Sequence, residues 1–105
     1  GKTSVIAYYN LINEVLNDSF TKLSNSKDVE ATIALEIEAC IKNMVYEHDT
    51  LIIDWQTNSE IEKTLKNNLD DLLFEKQQQY DTQFSFDKID TLIEEVIKIA
   101  KLKYI

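Results

Sequence analysis

Residues 29–44, VEATIALEIEACIKNM, carry a long apolar stripe of helical spacing. Because an α-helix turns once in about 3.6 residues, side chains three and four apart share one face. The members of this stripe are Val29, Ile33, Ile37, Cys40, Ile41 and Met44. Polar residues at 24–28 offer N-cap side chains in front of it. The pattern predicts a helix from about Lys27 to Glu47 that buries one face.

A second stripe precedes it, near the start of the chain. Its members are Val5, Ile6, Tyr9, Ile12, Val15 and Leu16. Polar residues at Asn10, Asn13 and Glu14 separate them, as expected for the solvent face of an amphipathic helix. The spacing predicts a helix from about Ser4 to Asn17.

The third stripe follows a capping box, in which a hydroxyl and a carboxylate three residues later pair with free backbone donors. Thr57 with Glu60 fits that box, and so does Ser59 with Glu62. The apolar members of the stripe are Ile61, Leu65, Leu69, Leu72 and Leu73. A polar run at 75–79 then predicts that packing no longer supports the helix, and that 77–83 is mobile.

A fourth stripe ends the chain. Ser85 or Asp87 can cap it, and lysines near its C-terminus favour the helix dipole. Its inward members are Ile89, Leu92, Ile93, Val96, Ile97 and Ala100. The pattern predicts a helix that runs to about Lys103.

Residues 48–50 interrupt the helical pattern, and 51–55, LIIDW, form a short β-branched apolar run. Such a run favours an extended segment or a turn, which we expect to lie across the helix ends. Asp54 and Trp55 are therefore predicted to be a structural anchor. The fold class predicted from all five segments is all-α, a bundle of about four helices with a short extended segment near residues 51–55.

The composition predicts one domain over residues 1–105. The chain is 44% apolar, with one Gly and no Pro, which is globular and favours long helices. It starts at Gly1 without an initiator Met, and we interpret it as a fragment of a larger protein. The single Cys40 suits a reducing cytoplasm, and no run approaches the ~18 apolar residues of a membrane span.

The charge balance disfavours autonomous binding to duplex DNA. Eleven cations, all of them Lys, stand against 19 acidic residues, so the net charge is −8 and the average field repels phosphate. Without Arg the chain makes no bidentate guanidinium contacts to phosphate or guanine. One alternative function remains, a nucleic-acid contact module that uses the clustered lysines Lys63, Lys66, Lys98, Lys101 and Lys103.

The residues predict no catalytic site and no metal site. The segment at 1–4, GKTS, resembles the end of a phosphate-binding loop but lacks the upstream strand and first glycine. His48, Asp49 and Cys40 could form a base and nucleophile, but nothing in the sequence brings them together. Neighbouring carboxylates on a helix point about 100° apart, so they do not converge on one ion. Glu95-Val96-Ile97-Lys98 has one residue too many for a nuclease motif and lies on a helix.

Aromatic residues are the best candidates for contact with a partner. Adjacent rings such as Tyr8 and Tyr9 cannot both face one core from a helix, and rings left over from a core commonly anchor interfaces. The predicted partner-binding residues are Tyr8, Tyr46, Tyr80, Phe84 and Phe86.

Three segments together carry a resemblance to a known family. They are IAYYNL at 6–11, IIDW at 52–55 and LDDLL at 69–73. In this order they resemble the helical C-terminal region of the R subunit of type I restriction enzymes, over nearly the whole chain. The junction of Asp54 with Trp55 is the most diagnostic element.

The resemblance implies a parent polypeptide that carries a nuclease domain and an ATP-dependent DNA translocase upstream. ATP and Mg²⁺ would serve those upstream parts, and no cofactor is expected in this fragment, which would not be an enzyme itself. The implied partners are the methyltransferase and specificity subunits of a cytoplasmic complex, through which the parent reaches DNA. A free-standing helical regulatory or scaffold protein is the other alternative.

Overall fold

A computed structural model describes residues 2–105, with side chains from Val5 onward. Four α-helices account for most of it, which confirms the predicted all-α bundle. Of the extended segment predicted near residues 51–55, only Leu51 lies in a strand, the second strand of a short hairpin, and a turn follows that leads into a 3-10 helix at Trp55. The elements are α1 Lys2–Leu16, a 3-10 turn Asn17–Phe20, α2 Ser26–Val45, β1 Tyr46–Glu47, β2 Thr50–Leu51, a 3-10 turn Trp55–Thr57, α3 Ser59–Gln79 and α4 Phe86–Lys103.

Successive helices run antiparallel and close into a bundle of about 42 × 26 × 20 Å. Polar contacts mark the pairing of α1 with α2, α2 with α3, and α3 with α4; they are Asn13–Glu30, Lys76–Glu36 and Lys101–Glu62. Helix α1 also packs along α4, which completes the ring. One end of the bundle therefore carries the hairpin and the C-terminus of α4. The opposite end carries the 3-10 turn after α1 and the loop between α3 and α4.

The core consists of the inward stripes of all four helices. In α1, however, the buried stripe is Tyr8, Ile12 and Leu16, spaced four residues apart. Ile6 is 59% exposed, so its predicted inward position is wrong, whereas Tyr9 is half-buried and packs against the core. Tyr8, which was not among the predicted inward residues, is fully buried.

Among the residues whose side chains are described, two charged ones lie inside the bundle. Glu30 is 3% exposed and accepts a hydrogen bond from Asn13 Nδ2 at 2.9 Å. Lys76 is 4% exposed, with Nζ 2.6 Å from Glu36 Oε2 and 2.9 Å from Gln79 Oε1. Because this lysine turns inward and is neutralised, α3 continues to Gln79, and the prediction that packing no longer supports the polar run is wrong.

The cap of α4 is a residue that the sequence predicted, whereas the cap of α3 is not. Asn58, and neither Thr57 nor Ser59, caps α3, since its Oδ1 accepts from the amides of Glu60 and Ile61 at 3.0 and 3.2 Å. The predicted capping box is therefore wrong. Of the two predicted caps of α4, Ser85 and Asp87, the cap is Ser85, with Oγ 3.2 Å from the amide of Lys88.

Helix α2 ends at Val45, two residues before the predicted end, because a hairpin begins there. Tyr46 pairs with Leu51 and Glu47 with Thr50. His48 and Asp49 connect the strands with φ of 52° and 64°, the positive values that a type I′ turn requires. Asp and His enter this region more readily than most residues, so the turn forms without glycine.

Helix α3 ends in a Schellman motif built on Asp81, whose φ is 49°. The Thr82 amide donates to the Gln77 carbonyl at 3.0 Å, and the Asp81 amide donates to the Gln78 carbonyl at 3.4 Å. The chain thereby turns sharply toward α4. Within the described range, no helix has both the length and the apolar character needed to span a bilayer.

Candidate docking site

Aromatic rings at the hairpin end are locked into the fold. Trp55 is 1% exposed, and its Nε1 donates to the Tyr104 carbonyl at 2.8 Å. Gln56 Nε2 donates to the same carbonyl at 3.0 Å. Tyr46, which is 36% exposed, sets its ring edge-on to Tyr104 at 6.3 Å between centroids. The loop before α3 is thus held against the last residues of α4.

Asp54 contributes to this anchor through its backbone. It adopts a left-handed conformation with φ of 57°, and its side chain is exposed. Its carbonyl accepts hydrogen bonds from the amide and the hydroxyl of Thr57, at 3.1 and 3.2 Å. The left-handed residue redirects the chain so that Trp55 enters the core.

Tyr8 belongs to the core and is not a partner-binding residue of this conformation. Its side chain is fully buried, and its hydroxyl lies close to the hydroxyl of Tyr104 and to the carboxylate of Glu38. Burial first, and then these neighbours, raise the pKa of Tyr8 far above its ordinary value. The prediction that Tyr8 contacts a partner is therefore wrong for steric reasons.

Phe84 is also buried, at the opposite end of the bundle. It is 5% exposed and meets Phe20 edge-on, with ring centroids 5.7 Å apart. Its amide donates to Gln77 Oε1 at 2.6 Å, and the neighbouring Thr82 hydroxyl donates to the Ser19 carbonyl. Phe84 therefore forms part of the floor of this end, and its predicted role as a surface anchor is wrong.

Above that floor lies a groove with a volume of about 830 Å³. It separates the segment after α1 from the corner of α3 and α4. Two of its lining residues are phenylalanines open to solvent, Phe74 at 58% and Phe86 at 86% exposure. Tyr80, another predicted partner-binding residue, is half-buried and packs against the core. Of the predicted set, Tyr46, Tyr80 and Phe86 remain accessible.

Phe74 was not among the predicted site residues, although the sequence held a signal for it. Leu72, Leu73 and Phe74 are consecutive on a helix, where neighbours point about 100° apart, so all three cannot face one core. Leu73 is buried and Leu72 is half-buried, which leaves Phe74 outside.

Carboxylates continue this surface along the boundary between α3 and α4. A smaller groove of about 320 Å³ is lined by Lys66, Asn67, Asp70, Asp90, Ile93 and Glu94. Asp70 lies one helical turn from Phe74, and Asp90 lies one turn from Phe86. We call the surface formed by Phe74, Phe86, Asp70, Asp90 and Glu94 the α3–α4 seam.

The three carboxylates of the seam have no hydrogen-bond or ion-pair partner among the described residues. Lys66, which lines the same groove, binds Glu62 instead at 3.7 Å, and Lys101 binds Glu62 at 2.5 Å. The hydrogen bond from Lys101 lowers the pKa of Glu62 below its ordinary value. The seam is thus apolar at one end and carries an excess of negative charge in its middle, three carboxylates to one lysine.

The lysines of the alternative nucleic-acid surface are partly neutralised within the fold. Lys66 and Lys101 share Glu62, and Lys98 lies 3.1 Å from Glu95. A phosphate would have to compete with these carboxylates. The structure therefore weakens the basis for a contact module that uses the lysines.

The residues considered for chemistry lie apart. His48 is exposed in the hairpin turn, whereas Cys40 is half-buried on α2 in a groove facing α3. Burial raises the pKa of the Cys40 thiol. Within the described residues, no group of three or more His, Cys, Asp or Glu side chains could hold a metal ion. Gly1 lies outside the described residues, as do the side chains of the remaining residues of the 1–4 segment.

Comparison with known proteins yields no match to a family model, to a curated protein or to a solved structure.

Proposed function

We propose that this chain is a non-catalytic docking domain that joins an ATP-dependent DNA translocase and endonuclease to its methyltransferase and specificity core. The observation that carries the proposal is the pair of exposed phenylalanines, Phe74 and Phe86, lining one groove. Isolated apolar side chains are common on surfaces, but two large rings on one concave surface are typical of interfaces.

The energetics favour a partner at this position. Covering a phenylalanine side chain that is otherwise exposed yields about 2 kcal/mol. Aromatic residues set in a groove and surrounded by polar groups are frequent hot spots of protein binding. Asp81, Gln78 and Lys22 also line the groove and can supply such polar surroundings.

The identity of the partner rests on the resemblance to type I R subunits. The segments that carry it lie in α1, in the anchor around Trp55 and in α3, whose last turns include Phe74. On this proposal ATP and Mg²⁺ act in upstream domains of the parent protein, in the cytoplasm. The present domain then positions those upstream domains on the methyltransferase and specificity core and supplies the affinity for it.

A binding experiment tests the proposal. The chain is mixed with the purified methyltransferase and specificity core from the same source and followed by sedimentation velocity. We expect a complex with the wild type and its loss in F74S/F86S. The matched control is I6S/L35S, which removes two exposed apolar residues from α1 and α2 and should still bind.

Failure of the wild type to bind would contradict the proposal, and so would equal binding by F74S/F86S. Titration with duplex DNA at ~50 mM salt provides a second arm. We expect no shift there. Tight, steeply salt-dependent binding would support the lysine-based alternative instead.

A further inference from the structure

Beyond the Glu62–Lys101 ion pair that joins α3 and α4, the α3–α4 seam carries three carboxylates without a matching cation. Between α2 and α3, Glu36 is matched by Lys76 at 2.6 Å, and between α1 and α2 Glu30 is matched by Asn13. Along the seam, Asp70, Asp90 and Glu94 have no such partner among the described residues. Lys66 lines the same groove, but it pairs with Glu62 at 3.7 Å. The three carboxylates repel one another, so a further cation placed there would relieve that repulsion.

We infer that the seam is a binding site for a cationic amphipathic helix of the partner protein. Its apolar side chains would enter the groove between Phe74 and Phe86, and arginines or lysines one to two turns further on would face Asp70, Asp90 and Glu94. This inference rests on the proposed docking function and names the chemistry of the partner segment.

The dimensions of the seam set the spacing expected in the partner. A helical turn advances about 5.4 Å, so Asp70 lies about one turn from Phe74 along α3. Helix α4 runs antiparallel to α3, which places Asp90 and Glu94 one and two turns from Phe86 in the same direction along the seam. An apolar anchor at position i therefore requires cations near i+4 and i+7 or i+8.

The charge of the chain selects this occupant over two others. A net charge of −8 opposes a nucleic acid, and the carboxylates face the place where phosphates would lie. A second copy of the chain would carry the same excess of negative charge to the contact. A cationic partner instead gains from long-range attraction as well as from the local ion pairs.

The test uses the full chain and synthetic helical peptides of about 18 residues. One peptide has leucine anchors with arginines at the expected spacing, the second has glutamates in place of the arginines, and the third carries the arginines on the opposite face. We expect the first to bind at least about tenfold more tightly than the other two, with the difference reduced at ~0.5 M salt.

A charge swap makes the result specific. D70K/D90K should reverse the preference from the arginine peptide to the glutamate peptide. The matched control E14K/E47K makes the same change of charge at exposed positions on α1 and β1 and should keep the wild-type preference. Circular dichroism and thermal unfolding establish that both variants are folded.

Three outcomes would overturn the inference. They are equal binding of the three peptides, loss of the preference in the control variant, and dimerisation of the wild-type chain that the D70K/D90K substitutions abolish. Binding of the methyltransferase and specificity core separates this inference from the proposed function. If the core binds D70K/D90K as well as it binds the wild type, only the inference about the seam is contradicted. If the peptides bind with the expected preference but the core does not bind, only the proposed function is contradicted.

Discussion

The two ends of this bundle both carry aromatic rings, but the groove end exposes two of them far more than the hairpin end exposes any. At the hairpin end Trp55 is 1% exposed and hydrogen-bonded to the last turn of the chain, and Tyr104 is 4% exposed beneath it. At the groove end Phe74 and Phe86 are 58% and 86% exposed. The rest of the chain covers Trp55 and Tyr104 but leaves Phe74 and Phe86 open to solvent.

The difference teaches what aromatic content means in a small helical domain. Trp and Tyr carry a polar handle, and where the backbone offers an acceptor, such as the Tyr104 carbonyl, the ring becomes part of the fold. Phe has no such handle, and its placement is decided by apolar contact alone. A phenylalanine that finds no contact within the chain, beside a groove, is available to another molecule.

The largest expected effect lies at the hairpin end. W55A should destabilise the fold by about 3 to 5 kcal/mol, because it removes a fully buried indole and leaves the Tyr104 carbonyl with one donor fewer. W55F should cost less, since the ring volume is largely kept. Urea unfolding at pH 7 measures both. A loss below about 1 kcal/mol for W55A would show that the ring is not a structural anchor.

The groove end offers a sharper comparison within three residues. F84A should cost about 3 kcal/mol, because Phe84 is 5% exposed and packs against Phe20. F86A should change stability by less than about 0.5 kcal/mol, because its ring is open to solvent. Thermal unfolding of the two variants checks this contrast. Similar losses of stability in F84A and F86A would contradict the assignment of Phe84 to the core and Phe86 to the surface.

A smaller effect tests how α3 begins after the anchor. N58A should cost about 1 kcal/mol, since Asn58 Oδ1 accepts from two otherwise free amides. S59A is the control and should be nearly neutral, as Ser59 is already the first helical residue. Chemical unfolding decides between them. The reverse order of losses would restore Ser59 as the cap.

The smallest expected effect concerns pH. The hydrogen bond from Lys101 lowers the pKa of folded Glu62, so the ionised carboxylate stabilises the fold above its unfolded pKa. That contribution, about 0.5 kcal/mol for a partly exposed pair, should be lost as pH falls from about 5 to about 3. E62Q should lack this part of the acid dependence when urea unfolding is compared at the two pH values. An unchanged pH profile in E62Q would contradict the assignment.

Much of the fold could be predicted because the apolar stripes are long. Four stripes of helical spacing predicted four helices, and the cap at Ser85 followed from a hydroxyl directly before the last stripe. What failed depended on tertiary contacts. Lys76 prolongs α3 only because Glu36 of another helix neutralises it. The hairpin turn depends on positive φ angles at His48 and Asp49, and the sequence lacks the Asn-Gly pair that usually predicts such a turn.

The site was harder to predict than the fold. Of the five aromatic residues selected from the sequence, Tyr8 is buried, and helical spacing alone does not show which of two adjacent rings meets a neighbour. Phe84 is buried too, because the loop before α4 places its ring against Phe20. Phe74 was missed within a run of three apolar residues. The seam itself joins residues from two helices, and only their antiparallel packing places Asp70 beside Asp90 and Glu94.

Hydrogen exchange of the chain bound to the methyltransferase and specificity core tests the contrast between the two ends. If the groove end is the docking surface and the hairpin end belongs to the fold, binding should slow amide exchange in 70–79 and 86–94 and leave 46–57 unchanged. Protection confined to 46–57, with the α3–α4 seam exchanging as in the free chain, would contradict the account.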